Sequence, residues 1–443
     1  MANTYLTRTP SSTGNQRTFT FSFWVKRSGL GSTEHIYCQS YGSDGYQFRI
    51  QFAGEKLQLY NSKGASDAIN LQTSRVFRDT SAWYHIVIAI DTTQGTASDR
   101  AKIYVNGVQE TSFGSATYPT QNLEMDANAA AAQIIGAKYS GSYSTYFNGS
   151  LSHFYFVDGT AYAASTFGST DSTTGEWKIN TSPSLTYGSN GYFILKDGNS
   201  VTDQSGNSNN FTVGGGTLTN TEDCPSNVFA TLNPLAGNCT FSNGNNTWVG
   251  TSSGNEHSSG TLGASSGKYY WEVKPNGACG AMGITDPTWQ FNRRGSIIYA
   301  SSSQSYVYEG NGYVSHDSYG DIANNYSNYG SSDIIGIALD LDNNKLYFSK
   351  NGTYENSGVP TSGSTGTGAI SIQAPSTLFT GFYTPLVADL CGSSTGGGDC
   401  NFGNGYFGTT AVASAGTNAS GNGIFEYDVP TGYTALSTKG LNL

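Results

Sequence analysis

The sequence predicts an all-β protein of two antiparallel β-sandwich domains in tandem, and three observations carry that prediction. Short runs with a period of two, each bounded by Gly, Ser, Asn or Asp, recur along the chain, and little in it sustains a 3.6-residue period. One hairpin pattern is written twice, about 250 residues apart: "WYHIVIAIDTTQGTASDRAKIYVNG" from residue 83 and "DIIGIALDLDNNKLYFSKNG" from residue 333. The composition is rich in turns and rings but poor in charge: Gly 57 against Pro 11, Tyr 30, aromatics 13% and charged residues 12% of 443 residues. That length exceeds one ordinary sandwich and suits two domains of about 200 residues each. Disorder would also give low charge and much Gly and Ser, but not alternating Tyr, Phe, Ile and Trp.

The first half supplies clear strands. In "RTFTFSFWVKRS" (residues 17–28), Phe19, Phe21 and Phe23 share one face and Thr20, Ser22 and Trp24 the other. "YQFRIQFAG" sets Tyr46, Phe48, Ile50 and Phe52 against Gln47, Arg49 and Gln51, and "EKLQLYN" follows a one-glycine turn. In "WYHIVIAID", Ile86, Ile88 and Ile90 face one way. "YFNGSLSHFYFVDG" (146–159) and "GYFILKDGNSVTDQSGNSNNFTV" (191–213) add further strands and turns. "MDANAAAAQIIGA" (125–137) reads as a loop entering a buried strand at 133–138, against the helix its alanines would favour. The composition loosens over 214–227, "GGGTLTNTEDCPSN", so the domains are expected at 1–215 and 229–443 with a linker at 216–228. The second half then offers "GKYYWEVKPNG", "CGAMGITDP", the second hairpin, "FYTPLVADL" and "GIFEYDVPTGY" as strands. In both hairpins an Asp closes the first strand, Lys-[Ile/Leu]-Tyr starts the return and Asn-Gly ends it, which is hairpin turn chemistry.

Charge and cysteine usage narrow the function. The net charge is −10 with no Lys/Arg run, which argues against a nucleic-acid partner. No apolar stretch approaches the ~18 residues of a membrane span, and "MANTYLTRTPSSTGNQ" lacks the apolar core of a signal peptide, so folding in a cytoplasm is expected. Cysteines 38, 224, 239, 279, 391 and 400 form no C-x-x-C pair. Six reduced thiols are expected, with a Cys391–Cys400 hairpin disulfide as the alternative.

The motifs carry a resemblance. "TFTFSFWVKRSG", "WYHIVIAID…KIYVNG" and "YFNGSLSHFYFVDG" make residues 1–215 similar to the laminin-G-like, concanavalin-type jelly roll. "GKYYWEV", "MGITDP", "IIGIALDLDNNKLYFSKNG", "FYTPLVADL" and "NFGNGYF" make the second half resemble a SPRY domain. Both families imply two-sheet antiparallel sandwiches. The pairing, with "YGSNGYFILKDGNSVTDQSGNSNNF", "SNVFATLNPL" and "FEYDVPTGYTAL", resembles structural proteins of tailed bacteriophages. That resemblance implies a non-enzymatic virion surface protein: a head decoration, head fibre, tail fibre or tail-tip adhesin. It would assemble in the host cytoplasm, dock on other virion proteins, form a homo-oligomer and touch a host-surface glycan or protein. The alternative is a jelly-roll enzyme of a phage tail that degrades glycans.

The residues favour binding over catalysis. A glycosidase needs two carboxylates across a cleft, and no E-x-D-x-x-E strand occurs; Glu272 and the Glu426/Asp428 pair are the nearest candidates. The G-x-S-x-G matches at 263–267 and 392–396 lack the helix a nucleophile elbow requires. His85 and His153 sit in strands, where packing is the simpler role. The loops instead embed Tyr in Ser, Gly and Asn: Tyr41, Tyr46, Tyr139, Tyr143, Tyr146, Tyr308, Tyr313, Tyr319, Tyr326 and Tyr329. Tyr gives rigid amphipathic contact area and the small residues adapt, as in a paratope. Trp289, Arg293 and Arg294 offer a second anchor. These rings either recognise a ligand or cover the sandwich ends and meet sibling subunits. Asp197, Asp203, Asn207 and Asn209 gather oxygen ligands that would suit Ca2+, although self-bonded turns use the same side chains and are the preferred reading.

Overall fold

A computed structural model describes residues 3–41, 45–64, 66–196, 201–250, 256–287, 305–316, 321–323, 325–390 and 395–442. The chain divides into two compact units, Met1–Asn220 and Thr221–Leu443. Among the described residues the regular structure is strand and short 3-10 turns, and no helix is long and apolar enough to cross a membrane. The all-β expectation holds.

Unit 1 stacks a six-stranded sheet on an eight-stranded one. In the six-stranded sheet Thr18–Arg27 lies between Gly149–Asp158 and Trp83–Asp91, and Trp83–Asp91 continues into Ala101–Val105. Phe19, Phe21 and Phe23 stand opposite Ile90, Ile88 and Ile86, so the alternation read in the sequence becomes one continuous apolar layer. The facing layer comes from Phe48, Ile50 and Phe52 on Tyr46–Ala53, Leu57 and Leu59 on Lys56–Lys63, and Ile69 and Leu71 on Ser66–Thr73. Phe21 and Phe48 stack across the interface at 5.8 Å. The alanine-rich segment forms no helix and leads into the buried strand Gln133–Ile135, as expected.

Unit 2 repeats the plan with a seven- and a nine-stranded sheet. Lys268–Pro275 pairs with Ile335–Asp340, setting Tyr269, Trp271 and Val273 against Leu339, Ile337 and Ile335, and Lys345–Lys350 pairs next. The other layer includes Met282, Ile284, Tyr306, Tyr308 and Val387.

Several expectations give way. A period of two is the mark of a half-buried strand, yet Thr18–Arg27 is buried on both faces. Residues 160–190 fold back over that sheet and pack Ala164, Phe167 and Trp177 on Val87, Tyr155 and Phe193. In unit 2 the stretch 423–433 is no strand; it lies over the outer face of the nine-stranded sheet, with Phe425, Val429 and Tyr433 on Tyr270, Ala338 and Tyr347. The cysteines also differ: Cys38, Cys224, Cys239 and Cys400 are free but Cys279 is in a disulfide. Cys400 is buried opposite Val273, so it is a core thiol and no hairpin bridge to Cys391 forms. Cys391 itself lies outside the described residues.

Candidate functional site

The tyrosines of "KYSGSYSTY" gather on the outer face of the eight-stranded sheet. Lys138–Tyr139 pairs with Tyr143–Ser144 in a two-rung hairpin whose turn uses Gly141 at φ 74. The register sets Tyr139 opposite Tyr143, with ring centroids 4.9 Å apart. Tyr143 stacks on Tyr5 at 4.0 Å, and Tyr146 lies 6.3 Å from Tyr5. All four rings are partly exposed over a floor of buried Cys38, Ile134 and Ala137. Three bonds fix the hairpin to the sheet: Gln47 Nε2 donates to the Tyr139 carbonyl at 3.0 Å, the His35 amide to the Thr145 carbonyl at 3.1 Å, and His35 Nδ1 lies 2.9 Å from Thr145 Oγ1. Burial and the adjacent Tyr5 raise the Tyr143 hydroxyl pKa, so it stays protonated and able to donate.

The same face continues as a polar ladder. One cross-sheet row runs Thr7, Ile134, Cys38, Arg49, Tyr60, Asn70. The Arg49 guanidinium lies 4.9 Å over the Tyr60 ring. Gln51 Nε2 donates to Gln58 Oε1 at 2.7 Å, Gln58 Nε2 to Asn70 Oδ1 at 2.8 Å, and Asn70 Nδ2 to Asp67 Oδ2 at 3.2 Å. Aromatic faces beside amides that both donate and accept give a surface for a ring with an apolar face and hydroxyl edges.

Of the tyrosines singled out in the sequence, Tyr139, Tyr143 and Tyr146 come together here. Tyr41 and Tyr46 are 56% and 49% exposed where Glu34–Ser40 turns into Tyr46–Ala53. Tyr308, Tyr326 and Tyr329 are not surface rings; all three are buried in the core of unit 2. The Tyr329 Oη proton is shared between the Gly280 and Tyr308 carbonyls and Tyr308 Oη donates to the Ser327 carbonyl, so these two buried hydroxyls are matched. Tyr313 is half-buried. Trp289, Arg293, Arg294 and Tyr319 lie outside the described residues, as do Asp197 and most of 392–396. Tyr5 was missed, although Leu6 facing the core implies that its neighbours face outward.

The remaining candidates carry hydrogen bonds and packing contacts within the fold. Asp203 Oδ1 accepts from the Phe193 and Ser205 amides, and Oδ2 from the Asn209 amide and Ser205 Oγ, all within 2.8–2.9 Å. Asn207 and Asn209 direct their Nδ2 groups at the carbonyls of Gly188, Gly191 and Ser189. These side chains clamp a turn, and no metal-ligating cluster of His, Cys, Asp and Glu exists among the described residues. Glu272 is fully buried, and its carboxylate accepts from the Glu426 and Tyr427 amides, Tyr270 Oη and Asn401 Nδ2. Burial still raises its pKa to about 7. Glu426 and Asp428 do not pair; they accept from the Ala413 amide and from Thr417. His85 is buried between Trp24 and Trp177. Trp177 Nε1–H can only donate, and it lies 3.0 Å from His85 Nδ1, so the proton sits on Nε2, 2.9 Å from Ser22 Oγ. Burial lowers the His85 pKa to about 3 and keeps it neutral.

The fold thus defines two β-sandwich modules, the first carrying an aromatic and amide face. Comparison with known families is specific: residues 2–165 match the model described as the Concanavalin A-like lectin/glucanases superfamily, and residues 268–370 match the SPRY domain model. The chain carries a concanavalin A-like domain followed by a SPRY domain. No curated protein matches the sequence. Among solved structures, the SPRY domain of human HERC1 is similar at 18% identity over 38% of this chain and 96% of that one, with TM-score 0.29. A putative carbohydrate binding protein from Bacteroides ovatus ATCC 8483 is 16% identical over 49% of this chain and 58% of that one, with TM-score 0.31. A heptameric SAP-like pentraxin from Limulus polyphemus is 17% identical over 44% and 89%, with TM-score 0.28. None of these matches bears on a bacteriophage source.

Proposed function

We propose that this chain is a non-catalytic binding protein that holds a glycan on the outer face of the eight-stranded sheet. The observation that carries the reading is the half-exposed cluster of Tyr5, Tyr139, Tyr143 and Tyr146 beside the Gln51–Gln58–Asn70 ladder. A sugar ring would lay its C–H face on the tyrosines and meet the amides with its hydroxyls. Glu272, one of the carboxylates singled out in the sequence, is buried and committed to holding residues 426–427, which supports binding without cleavage. The family description of the first module, which spans lectins and glucanases, agrees with a carbohydrate ligand and leaves catalysis to be tested.

On the sequence resemblance described above, the reading extends to the exterior of a tailed-phage particle, where the protein would dock on other virion proteins as a homo-oligomer. Antibody labelling of such particles tests this placement. The glycan reading is tested by titrating the full chain with host-envelope polysaccharides. Tyr143→Ala is expected to weaken binding about ten-fold, equivalent to about 1.4 kcal/mol, and chelation of calcium to change nothing. Shortening of the polysaccharide would overturn the non-catalytic assignment, and unchanged affinity in Tyr143→Ala would overturn the site.

A further inference from the structure

Unit 2 contains a cavity of about 320 Å³ that none of the preceding roles uses. One wall is the edge of the seven-stranded sheet, where Ser305–Tyr308, Val314–His316 and Asp321–Ala323 pair in succession. The other is the short strand Ile370–Ser371, which pairs with Lys345–Lys350 of the opposite sheet. The cavity therefore opens at the rim between the two layers of this sandwich.

Its lining has a definite chemistry. The cross-strand pair Tyr306 and His316 stacks at 4.2 Å with 24° between ring planes, giving a flat aromatic panel. Ile322, Ala369 and Ile370 supply aliphatic surface. Asn356, Ser371 and Gln373 bring two amides and a hydroxyl. None of the described lining residues is Asp, Glu, Lys or Arg. The backbone at Gln373 and the hydroxyl of Ser371 are held in place. The Gln373 amide donates to Tyr306 Oη at 3.0 Å and its carbonyl accepts from Tyr383 Oη at 3.1 Å, so its backbone is pinned from both sides. Ser371 Oγ accepts from Lys345 Nζ at 2.9 Å, which leaves the serine proton to donate.

A pocket of this size, with apolar and aromatic walls and a few convergent neutral polar groups, fits a small uncharged ligand. Side-chain amides both donate and accept, which matches vicinal hydroxyls that do the same. An aliphatic peptide side chain would leave those amides unused, and the one ammonium shown at the rim, Lys345, is engaged by Ser371 Oγ. We propose that this cavity is a second ligand site, taking a single neutral pyranose residue. It stands on unit 2 alone and does not need the tyrosine face of unit 1.

The test is titration of the full chain with methyl glycosides of glucose, galactose, mannose, N-acetylglucosamine and glucuronic acid, followed by ligand-observed NMR. At least one neutral glycoside should bind with a Kd on the order of 1 mM. Ser371 and Gln373 are exposed at the rim, so their replacement spares the core. Ser371→Trp should cut affinity ten-fold or more and Gln373→Ala several-fold, each measured in a Tyr143→Ala background so that the tyrosine face of unit 1 contributes little. A thermal melt checks that both rim variants fold, and Gln373→Ala decides if Ser371→Trp does not. The assignment is overturned if no neutral glycoside binds, if binding survives both rim variants, or if the glucuronide binds more tightly than every neutral glycoside.

Discussion

The two hairpins that echo each other in sequence are closed by one device but roofed by opposite chemistry. In each, the Asn of Asn-Gly and its Gly both take positive φ: 47 and 80 at Asn106 and Gly107, 49 and 79 at Asn351 and Gly352. In each, the Asn exchanges two bonds with the partner strand. The Asn106 amide donates to the His85 carbonyl while the His85 amide donates to Asn106 Oδ1; Asn351 does the same with Ile334. In each, a later aromatic ring lies directly on the glycine. A Cβ on Gly107 would meet the Trp177 ring at 2.3 Å, and one on Gly352 the Tyr427 ring at 2.6 Å. Under the roof the copies part: unit 1 buries a neutral imidazole that accepts from Trp177, and unit 2 a carboxyl that accepts from the Glu426 and Tyr427 amides. An echoed turn therefore constrains the roof sterically and leaves its polar anchor open to replacement.

The largest expected break in this symmetry is Glu272→Ala. It strips the acceptor from two backbone amides and from Asn401, and each buried donor left unmatched costs about 1–3 kcal/mol. A loss of about 3–5 kcal/mol is expected. Hydrogen exchange should show it along Lys268–Pro275 and not along Trp83–Asp91. Equal loss of protection in both strands would mean that the anchor is not local to unit 2.

The shared feature is probed next by Gly107→Ala and Gly352→Ala. Each forces a side chain into left-handed backbone and against a ring, so about 2–4 kcal/mol is expected at either site. Pairing Gly107→Ala with Trp177→Ala should recover part of that loss, since the steric component then vanishes. Absence of recovery, read from denaturant midpoints, would leave backbone strain as the whole cost.

Much of this frame was legible in the chain. Phe19, Phe21 and Phe23 announced their face, the Asn-Gly pairs announced their turns, and the tyrosine-rich run at 138–146 announced a surface. What stayed hidden was long-range cover. Nothing in "FTFSFW" says that Thr20 will bond Thr160 and Tyr162, about 140 residues later, because period two reports which residues share a face and not what lies over it. The same limit misled the reading of Tyr308, Tyr326 and Tyr329: tyrosines among Ser, Gly and Asn look like loop rings until the sandwich buries them and, for Tyr308 and Tyr329, supplies carbonyls for their hydroxyls. The stretch 423–433 reads as a strand because its apolar residues are spaced like one, yet its amides bond a carboxylate instead of a neighbouring strand.

The smallest effect separates the anchors by pH. The His85 pKa lies near 3 against an ordinary 6.5, so the folded state disfavours the protonated ring. Its contribution is present above about pH 6.5 and is lost as pH falls from there towards 3. The Glu272 pKa is raised from 4.5 to about 7, so its contribution is full below 4.5 and is lost as pH rises through 7. Glu34, buried against Arg27, is also raised to about 7 and adds a loss of the second sign within unit 1, so whole-protein melts would mix the two. Difference profiles against single variants isolate each group. His85→Gln should remove an acid-side loss seen in exchange along Trp83–Asp91, and Glu272→Gln a loss along Lys268–Pro275 between pH 4.5 and 7. Over the first one to two pH units of each window the change is expected to be about 1–2 kcal/mol, at about 1.4 kcal/mol per unit. Slopes of the same sign in both strands would show that the two roofs share one electrostatic logic after all.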